Sequence, residues 1–198
     1  MELYSGITRS LIEDCKQDRI ALKLQDAFRR HFRFGPSPAE VGSWRNSLNA
    51  FCEIVQSASL LNHGVVLEYQ LPLTSKRLDC VLTDRNALHC DNAVIVELKQ
   101  WDHCRDRSGT NEITTWVGGT LRDVLHPSAQ VGQYKMYLED SHTAFHGENA
   151  IDLHACSYLH NYTFNASDVI FSPKFSSLLL RGHAKAANEG HLKTGQRE

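Results

Sequence analysis

The chain has 198 residues, of which 41% are hydrophobic and 22% are charged, and its formal net charge is −2. These values predict a soluble globular protein of one domain and exclude a chain that binds nucleic acid through overall positive charge. No apolar run approaches the roughly 20 residues of a membrane span, and the first residues lack the pattern of a secretory signal. With six scattered cysteines, we expect a reducing, cytoplasmic compartment rather than a disulfide framework.

The N-terminal region, residues 1–35, is predicted to form one helix over residues 8–32 that ends before Gly35-Pro36. Its apolar positions follow helical spacing: Leu11, Cys15, Leu24 and Phe28. Basic and aromatic residues interleave near the end of this helix, and the basic ones include Arg29, Arg30 and Arg33. Two interpretations stay open, because these arginines can follow a phosphate backbone or form a solvated helix face.

A second helix is predicted over residues 38–61, because Ser37-Pro38-Ala39-Glu40 has the form of a capping box. Three segments with the alternation of β-strands follow: residues 65–71, 77–83 and 93–100. In the middle segment one face is expected to carry Leu78, Cys80 and Leu82, and the other Arg77, Asp79 and Val81. Short links between the three segments predict an antiparallel meander.

The second half of the chain is predicted to return to the same sheet. Residues 101–120 are polar and contain three glycines, which predicts a long loop. The further predicted elements are a helical turn over 121–125, a helix over 127–139, a strand over 151–162, a helix over 176–187 and a flexible tail over 188–198. This order predicts an α/β fold, with helices covering the sheet, in a domain over residues 36–187.

Two charges interrupt the apolar strand over residues 93–100. Glu97 and Lys99 share one face of this strand, because side chains alternate along it. Charges inside an apolar strand are usually paired or bound to a metal. A carboxylate beside a lysine suits a cation held next to a phosphate, with the lysine positioning or activating a water.

Asp79 supplies a second carboxylate if its strand neighbours the one that carries Glu97. Two such carboxylates can hold Mg²⁺, which keeps several waters and needs only one or two protein carboxylates. A bound cation of this kind polarises a phosphoryl oxygen and lowers the pKa of its water. The alternative is that Asp79 pairs with Arg77 or caps a turn.

Three further residues are candidates for supporting roles. Glu68 adds a third acid to this region, or else it is an ordinary solvent-facing strand residue. Gln130 and Tyr134 lie four residues apart on a predicted helix and therefore share one face. An amide and a phenol placed in this way can hydrogen-bond a lysine, a water or a phosphate, whereas the alternative places Tyr134 in the core.

The combination of Asp79, Glu97-x-Lys99 and Gln130-x-x-x-Tyr134 in an αβββαβ order resembles the PD-(D/E)XK nuclease superfamily, in its RecB-like and Cas4-like branch. Over residues 40–165 the chain is most similar to the N-terminal nuclease-like region of bacterial Schlafen-type DNA/RNA helicases. The segments that carry this likeness are residues 43–48, 67–72, 77–79, 94–101 and 126–130.

The resemblance implies a restriction-endonuclease-like core with a mixed central sheet, and a metal-dependent phosphodiesterase that acts on nucleic acid. DNA is favoured over RNA, and a role in antiphage defence or DNA repair fits this activity. Asp79 and Glu97 map to the ligands of Mg²⁺ or Mn²⁺, and Lys99 maps to the catalytic lysine. Gln130 and Tyr134 map to the motif that follows the core.

Two departures from the family are visible. Leu78 stands where the family's first motif has proline, and the phosphate loop of the helicase is missing. A helicase or ATPase would therefore be a separate partner, and a homodimer is compatible with the sequence. The alternative function is an inactive nuclease-like fold that binds nucleic acid or a protein.

A zinc module is a third interpretation. His89-Cys90 and His103-Cys104 form a pair of adjacent metal-ligand types, and His126 is a further candidate. The spacing lacks a C-x-x-C knuckle, so this pattern is a poor match to known zinc sites.

Overall fold

The computed structural model describes residues 1–86, 88–109 and 111–178. The helices are α1 (Thr8–Lys16), α2 (Ile20–Phe32), α3 (Pro38–Ser57) and α4 (Pro127–Ser141). The strands are β1 (Tyr4–Ile7), β2 (Gly64–Gln70), β3 (Arg77–Arg85), β4 (Asp91–Lys99), β5 (Cys104–Arg105), β6 (Glu112–Val117), β7 (Thr120–Leu125) and β8 (Asp152–Leu159). The helix predicted over 176–187 and the tail over 188–198 lie outside the described residues, except that 176–178 form a turn.

The main sheet has five strands in the order β1-β2-β3-β4-β8. Neighbours from β1 to β4 are antiparallel, whereas β8 runs parallel to β4, so the sheet is mixed. The predicted meander and the mixed α/β class are confirmed. The edge strand β1 is an addition that four residues of sequence are too short to reveal.

Helices cover both faces of this sheet, as predicted. On one face, side chains of α1, α2 and α3 form a buried cluster with Val65, Leu67, Cys80 and Val96 of the sheet. On the other face, Val131, Tyr134 and Leu138 of α4 pack on Leu78 and Ile95. No helix among the described residues is both long enough and apolar enough to cross a membrane.

The single helix predicted over residues 8–32 is wrong, because a turn separates α1 from α2. Asp18 in this turn has φ 50°, a left-handed conformation that aspartate tolerates better than most residues. The buried carboxylate of Asp14 accepts hydrogen bonds from Arg19 Nη2 at 2.9 Å and Lys23 Nζ at 2.6 Å. Asp14 thereby ties the start of α2 to the end of α1, a contact that helical spacing alone does not reveal.

The start of α3 is as predicted, but its end is not. Ser37 Oγ accepts the backbone N–H of Glu40 at 3.1 Å, with Pro38 in the first turn. The helix ends at Ser57, before the predicted residue 61.

The long loop predicted over residues 101–120 and the helical turn over 121–125 are both wrong. These residues contain β5, β6 and β7, which form a separate antiparallel sheet. Gly118 and Gly119 have φ values of 61° and 82°, which suits a two-residue turn between β6 and β7. The β-branched and aromatic residues that precede them, Thr114-Thr115-Trp116-Val117, favour a strand.

Strands β3 and β4 part at Asp79. Their pairing ends at Cys80 and Val96, although both strands continue beyond this point. Cys80 packs toward α1–α3, whereas Leu78 packs toward α4, so the predicted alternation of Leu78 and Cys80 on one face is wrong. Glu68, opposite this point on β2, has φ 52° and marks the same distortion.

Candidate active site

A cavity of about 380 Å³ opens where β3 and β4 part. Four residues predicted for the site line it: Glu68, Asp79, Glu97 and Gln130. Residues from α3 also line it, so the cavity lies between this helix and the open part of the sheet. The structure therefore brings together side chains that are widely separated along the chain.

Asp79 occupies the opening between the two strands. Its Oδ2 accepts the backbone N–H of Leu98 at 2.7 Å, a group that β3 would satisfy if the strands stayed paired. Burial, followed by the nearby carboxylates of Glu97 and Glu68, holds the pKa of Asp79 well above its ordinary value. Asp79 thus satisfies a backbone N–H of β4 and also contributes a carboxyl group to the cavity.

Glu97 is 3% exposed, and its two carboxylate oxygens differ in their surroundings. Oε1 accepts hydrogen bonds from Lys99 Nζ at 2.7 Å and from Gln130 Nε2 at 2.7 Å. Oε2 is buried and has no hydrogen-bond partner among the described residues. A buried carboxylate oxygen without a partner is costly, which indicates a place for a bound cation or water.

Lys99 is held in place from three sides. Nζ donates to Glu97 Oε1 and, at 3.0 Å, to Gln130 Oε1. It also lies 5.5 Å from the centroid of the Trp101 ring. An ammonium group has three N–H donors, so these two hydrogen bonds leave one for a further acceptor.

Gln130 and Tyr134 share one face of α4 as predicted, and both reach the site. Gln130 Nε2 donates to Tyr134 Oη at 2.9 Å as well as to Glu97. Burial, with the charge of Glu97, raises the pKa of Tyr134. Tyr134 is also part of the core beneath α4. It therefore both packs in the core and hydrogen-bonds at the site, so the two interpretations of this residue are compatible.

Glu68 belongs to the cavity and is not a solvent-facing strand residue. Its Oε1 accepts the indole N–H of Trp44 at 2.7 Å, and its Oε2 lies 3.2 Å from Arg77 Nη1. Burial raises the pKa of Glu68 to about 7, against the opposing effects of Arg77 and Trp44. The pairing of Asp79 with Arg77 is not observed, because Arg77 is ion-paired with Glu68 and Glu40.

Several cavity residues were not assigned to the site from the sequence. They are Glu40, Ser43, Trp44, Ser47 and Arg77. Trp44 lies in the segment over residues 43–48 that carries the resemblance, which assigns it no role in the site, yet a buried indole N–H usually requires an acceptor. The need of the Trp44 N–H for an acceptor is the signal in the sequence that connects α3 with an acidic residue of the sheet, which is Glu68.

The three candidate nucleic-acid-binding arginines lie outside the cavity. Arg29 and Arg30 are exposed near the end of α2, and Arg33 is the exposed residue after it. Phe28 on the same helix contacts the cavity wall, with its ring centroid 6.0 Å from that of Trp44. The arginines therefore extend from a helix that reaches the wall of the cavity.

The oxygen atoms of the cavity fit a hard cation better than zinc. Asp79 and Glu97 offer carboxylate oxygens, which suit Mg²⁺ or Mn²⁺, and Glu97 Oε2 is the oxygen that lacks a hydrogen bond from the described chain. Within the described ranges, no group of three or more His, Cys, Asp and Glu is arranged as a metal site. Two carboxylates fall below that number but suffice for Mg²⁺.

The zinc interpretation loses its third candidate ligand. His126 Nδ1 accepts the backbone N–H of Ser128 at 3.1 Å, and Nε2 lies 2.9 Å from the carbonyl oxygen of Ile170, to which it donates. Both ring nitrogens are therefore used within the protein. His126 caps α4, the helix that carries Gln130.

No family model, curated protein or solved structure matches this chain.

Proposed function

We propose that this protein is a divalent-metal-dependent nuclease with a restriction-endonuclease-like core, which hydrolyses phosphodiester bonds of nucleic acid, DNA in preference to RNA. One observation carries the proposal. Asp79 and Glu97 line the cavity where two strands part, and Lys99 donates a hydrogen bond to Glu97 Oε1. Glu97 Oε2 is buried there without a partner from the described residues. A buried acidic cavity beside a fixed lysine suits a phosphate ester that arrives together with a cation.

Asp79 and Glu97 are the residues that would hold Mg²⁺ or Mn²⁺. When bound, the cation supplies Lewis-acid polarisation of a phosphoryl oxygen and a water of lowered pKa. The protein fixes Glu97 for this role through Lys99 and Gln130, which both donate to Oε1 and not to Oε2. Asp79 is fixed through its hydrogen bond from Leu98.

Lys99 can donate its remaining N–H to a phosphoryl oxygen or to the attacking water. Its position is set before substrate arrives, because Glu97 and Gln130 already hold Nζ. Such preorganised donors stabilise developing negative charge at little cost in reorganisation. Gln130 orients Lys99 and Glu97, and Tyr134 holds Gln130 in place, so changes at either residue are expected to have smaller effects on turnover.

The central test of the proposal is metal dependence. Purified protein should cleave nucleic acid with Mg²⁺ or Mn²⁺ and should not cleave it in excess EDTA, because the carboxylates need a cation to receive a phosphate. The assay uses linear, circular, single-stranded and double-stranded DNA and RNA, which also defines the substrate. Full activity in EDTA would refute the proposal.

A second prediction concerns binding by the α2 arginines. Changing Arg29, Arg30 and Arg33 together to alanine should weaken DNA binding and reduce its salt dependence. The logarithmic slope should fall by up to about 0.9 for each phosphate that the arginines neutralise. Arg29 forms an ion pair with exposed Asp26 at 3.8 Å, and exposed pairs of this kind are weak, so stability should change by no more than about 0.5 kcal/mol. The measurement is affinity as a function of salt concentration.

Arg85→Ala is the matched control, because Arg85 is an exposed arginine at the end of β3. If the triple variant keeps the wild-type salt slope, the arginines form only a solvated face.

A separate helicase or ATPase partner and a homodimer stay predictions from the sequence.

A further inference from the structure

Two buried cysteines lie side by side between α1 and α3. Cys15 is 8% exposed and Cys52 is 5% exposed, and their Sγ atoms are 2.9 Å apart. This separation is roughly 1 Å longer than a disulfide bond. The two residues are 37 positions apart in the chain, and spacing gives no sign of the pair.

We infer that Cys15 and Cys52 form an intramolecular disulfide when the protein meets a low-molecular-weight disulfide such as oxidised glutathione. The two Sγ atoms already lie side by side, so the bond needs only a small approach of two side chains that face each other. The bond would join the first helix of the chain to the helix that lines the cavity.

The chemistry proceeds by two thiol–disulfide exchanges. One cysteine, as its thiolate, attacks a sulfur of oxidised glutathione, breaks the S–S bond and releases one glutathione thiolate, which takes up a proton. The second cysteine loses its proton and attacks the protein sulfur of the mixed disulfide. This step forms the Sγ–Sγ bond and releases a second glutathione, so two protein thiols are oxidised and one glutathione disulfide is reduced.

The pair should react slowly, since both sulfurs are sheltered from water. The neighbouring Cys15 thiol, together with burial, raises the pKa of Cys52 well above its ordinary range. Cys90 and Cys156 are exposed and should form mixed disulfides with glutathione sooner.

The decisive experiment is a peptide map, because each cysteine falls in a different tryptic peptide. Native protein is incubated with oxidised glutathione, free thiols are alkylated, and the protein is digested without reduction. The peptides over residues 10–16 and 46–76 contain Cys15 and Cys52, and each contains one cysteine. We expect these two peptides to be linked within a protein of monomer mass.

The melting temperature of the oxidised protein is an independent test of the disulfide. A bridge across this loop should raise Tm by about 5–15 °C, and a reductant should reverse the rise. Cys52→Ala should abolish the oxidation-dependent shift, whereas the matched control Cys90→Ser should keep it. If Cys15 and Cys52 stay alkylated, or link to other cysteines, the inference is wrong, and the wild-type peptide map decides this even if Cys52→Ala fails to fold.

Discussion

Glu97→Gln and Lys99→Ala should each lower nucleic-acid cleavage by about 10²–10⁴-fold, but they should differ in metal binding. Glutamine removes the charge that attracts the cation, so calorimetric titration with Mn²⁺ should show binding lost. Alanine at position 99 removes an ammonium that is not a metal ligand, so metal binding should persist. Lys99→Arg should fail as well, because a planar guanidinium cannot replace a compact ammonium between Glu97 and Gln130.

Matched controls come from α4, where Lys135 and Glu139 form an ion pair one turn apart. Lys135→Ala and Glu139→Gln remove the same groups from the same domain and should leave cleavage unchanged. Combining Glu97→Gln with a change of Asp79 should add little to either single effect, since the two carboxylates act as one unit. Cleavage at the wild-type rate by folded Glu97→Gln protein would favour the alternative of a binding module.

Asp79→Asn should make the protein more stable without metal and insensitive to added metal. Two buried carboxylates, Glu97 and Glu68, lie near Asp79, and its own charge is withdrawn from water. Asparagine keeps a carbonyl oxygen for the Leu98 N–H and removes one of these charges. We expect a higher Tm in the absence of metal, and loss of cleavage.

The stability difference between Asp79→Asn and the wild type should depend on pH. The pKa of Asp79 in the folded protein lies above its unfolded value, so the contribution of its protonated form is present at low pH. That contribution is lost as the pH rises through the folded-state pKa, whereas asparagine does not titrate. The stability difference between the variant and the wild type should therefore grow from acidic to neutral pH.

Thermal denaturation with and without Mg²⁺ checks both parts of this prediction. Wild-type protein should gain stability from the metal, and Asp79→Asn should not. Asp152→Asn is the control, because that carboxylate is exposed and paired with His154. A less stable Asp79→Asn protein at neutral pH would show that the charge of Asp79 is needed for folding.

The parts of the site that could be predicted follow simple periodicity. Alternation along β4 placed Glu97 and Lys99 on one face, and helical spacing placed Gln130 and Tyr134 on one face of α4. The structure joins these faces through direct hydrogen bonds. Both pairs are local in sequence, which is why a pattern of residues is enough to orient them.

Other features depend on contacts that no local pattern contains. The position of Asp79 results from the parting of β3 and β4 and from the distortion at Glu68, where strict alternation fails. Arg77 forms an ion pair with Glu40 of α3, a residue that is distant from it in the sequence. The β6–β7 hairpin is different, since the Gly118-Gly119 pair at its turn is a local signal in the sequence, although it lies inside a polar segment.

The hydrogen bond between Trp44 and Glu68 makes the cavity observable by fluorescence. The indole N–H lies 2.7 Å from a carboxylate whose charge a bound cation would screen, so the emission of Trp44 reports directly on the cavity. Trp101 contacts Lys99, and Trp116, which is 55% exposed on the small sheet, serves as an internal reference. The protein thus carries native spectroscopic probes at the site, and ligand entry can be followed without an attached dye.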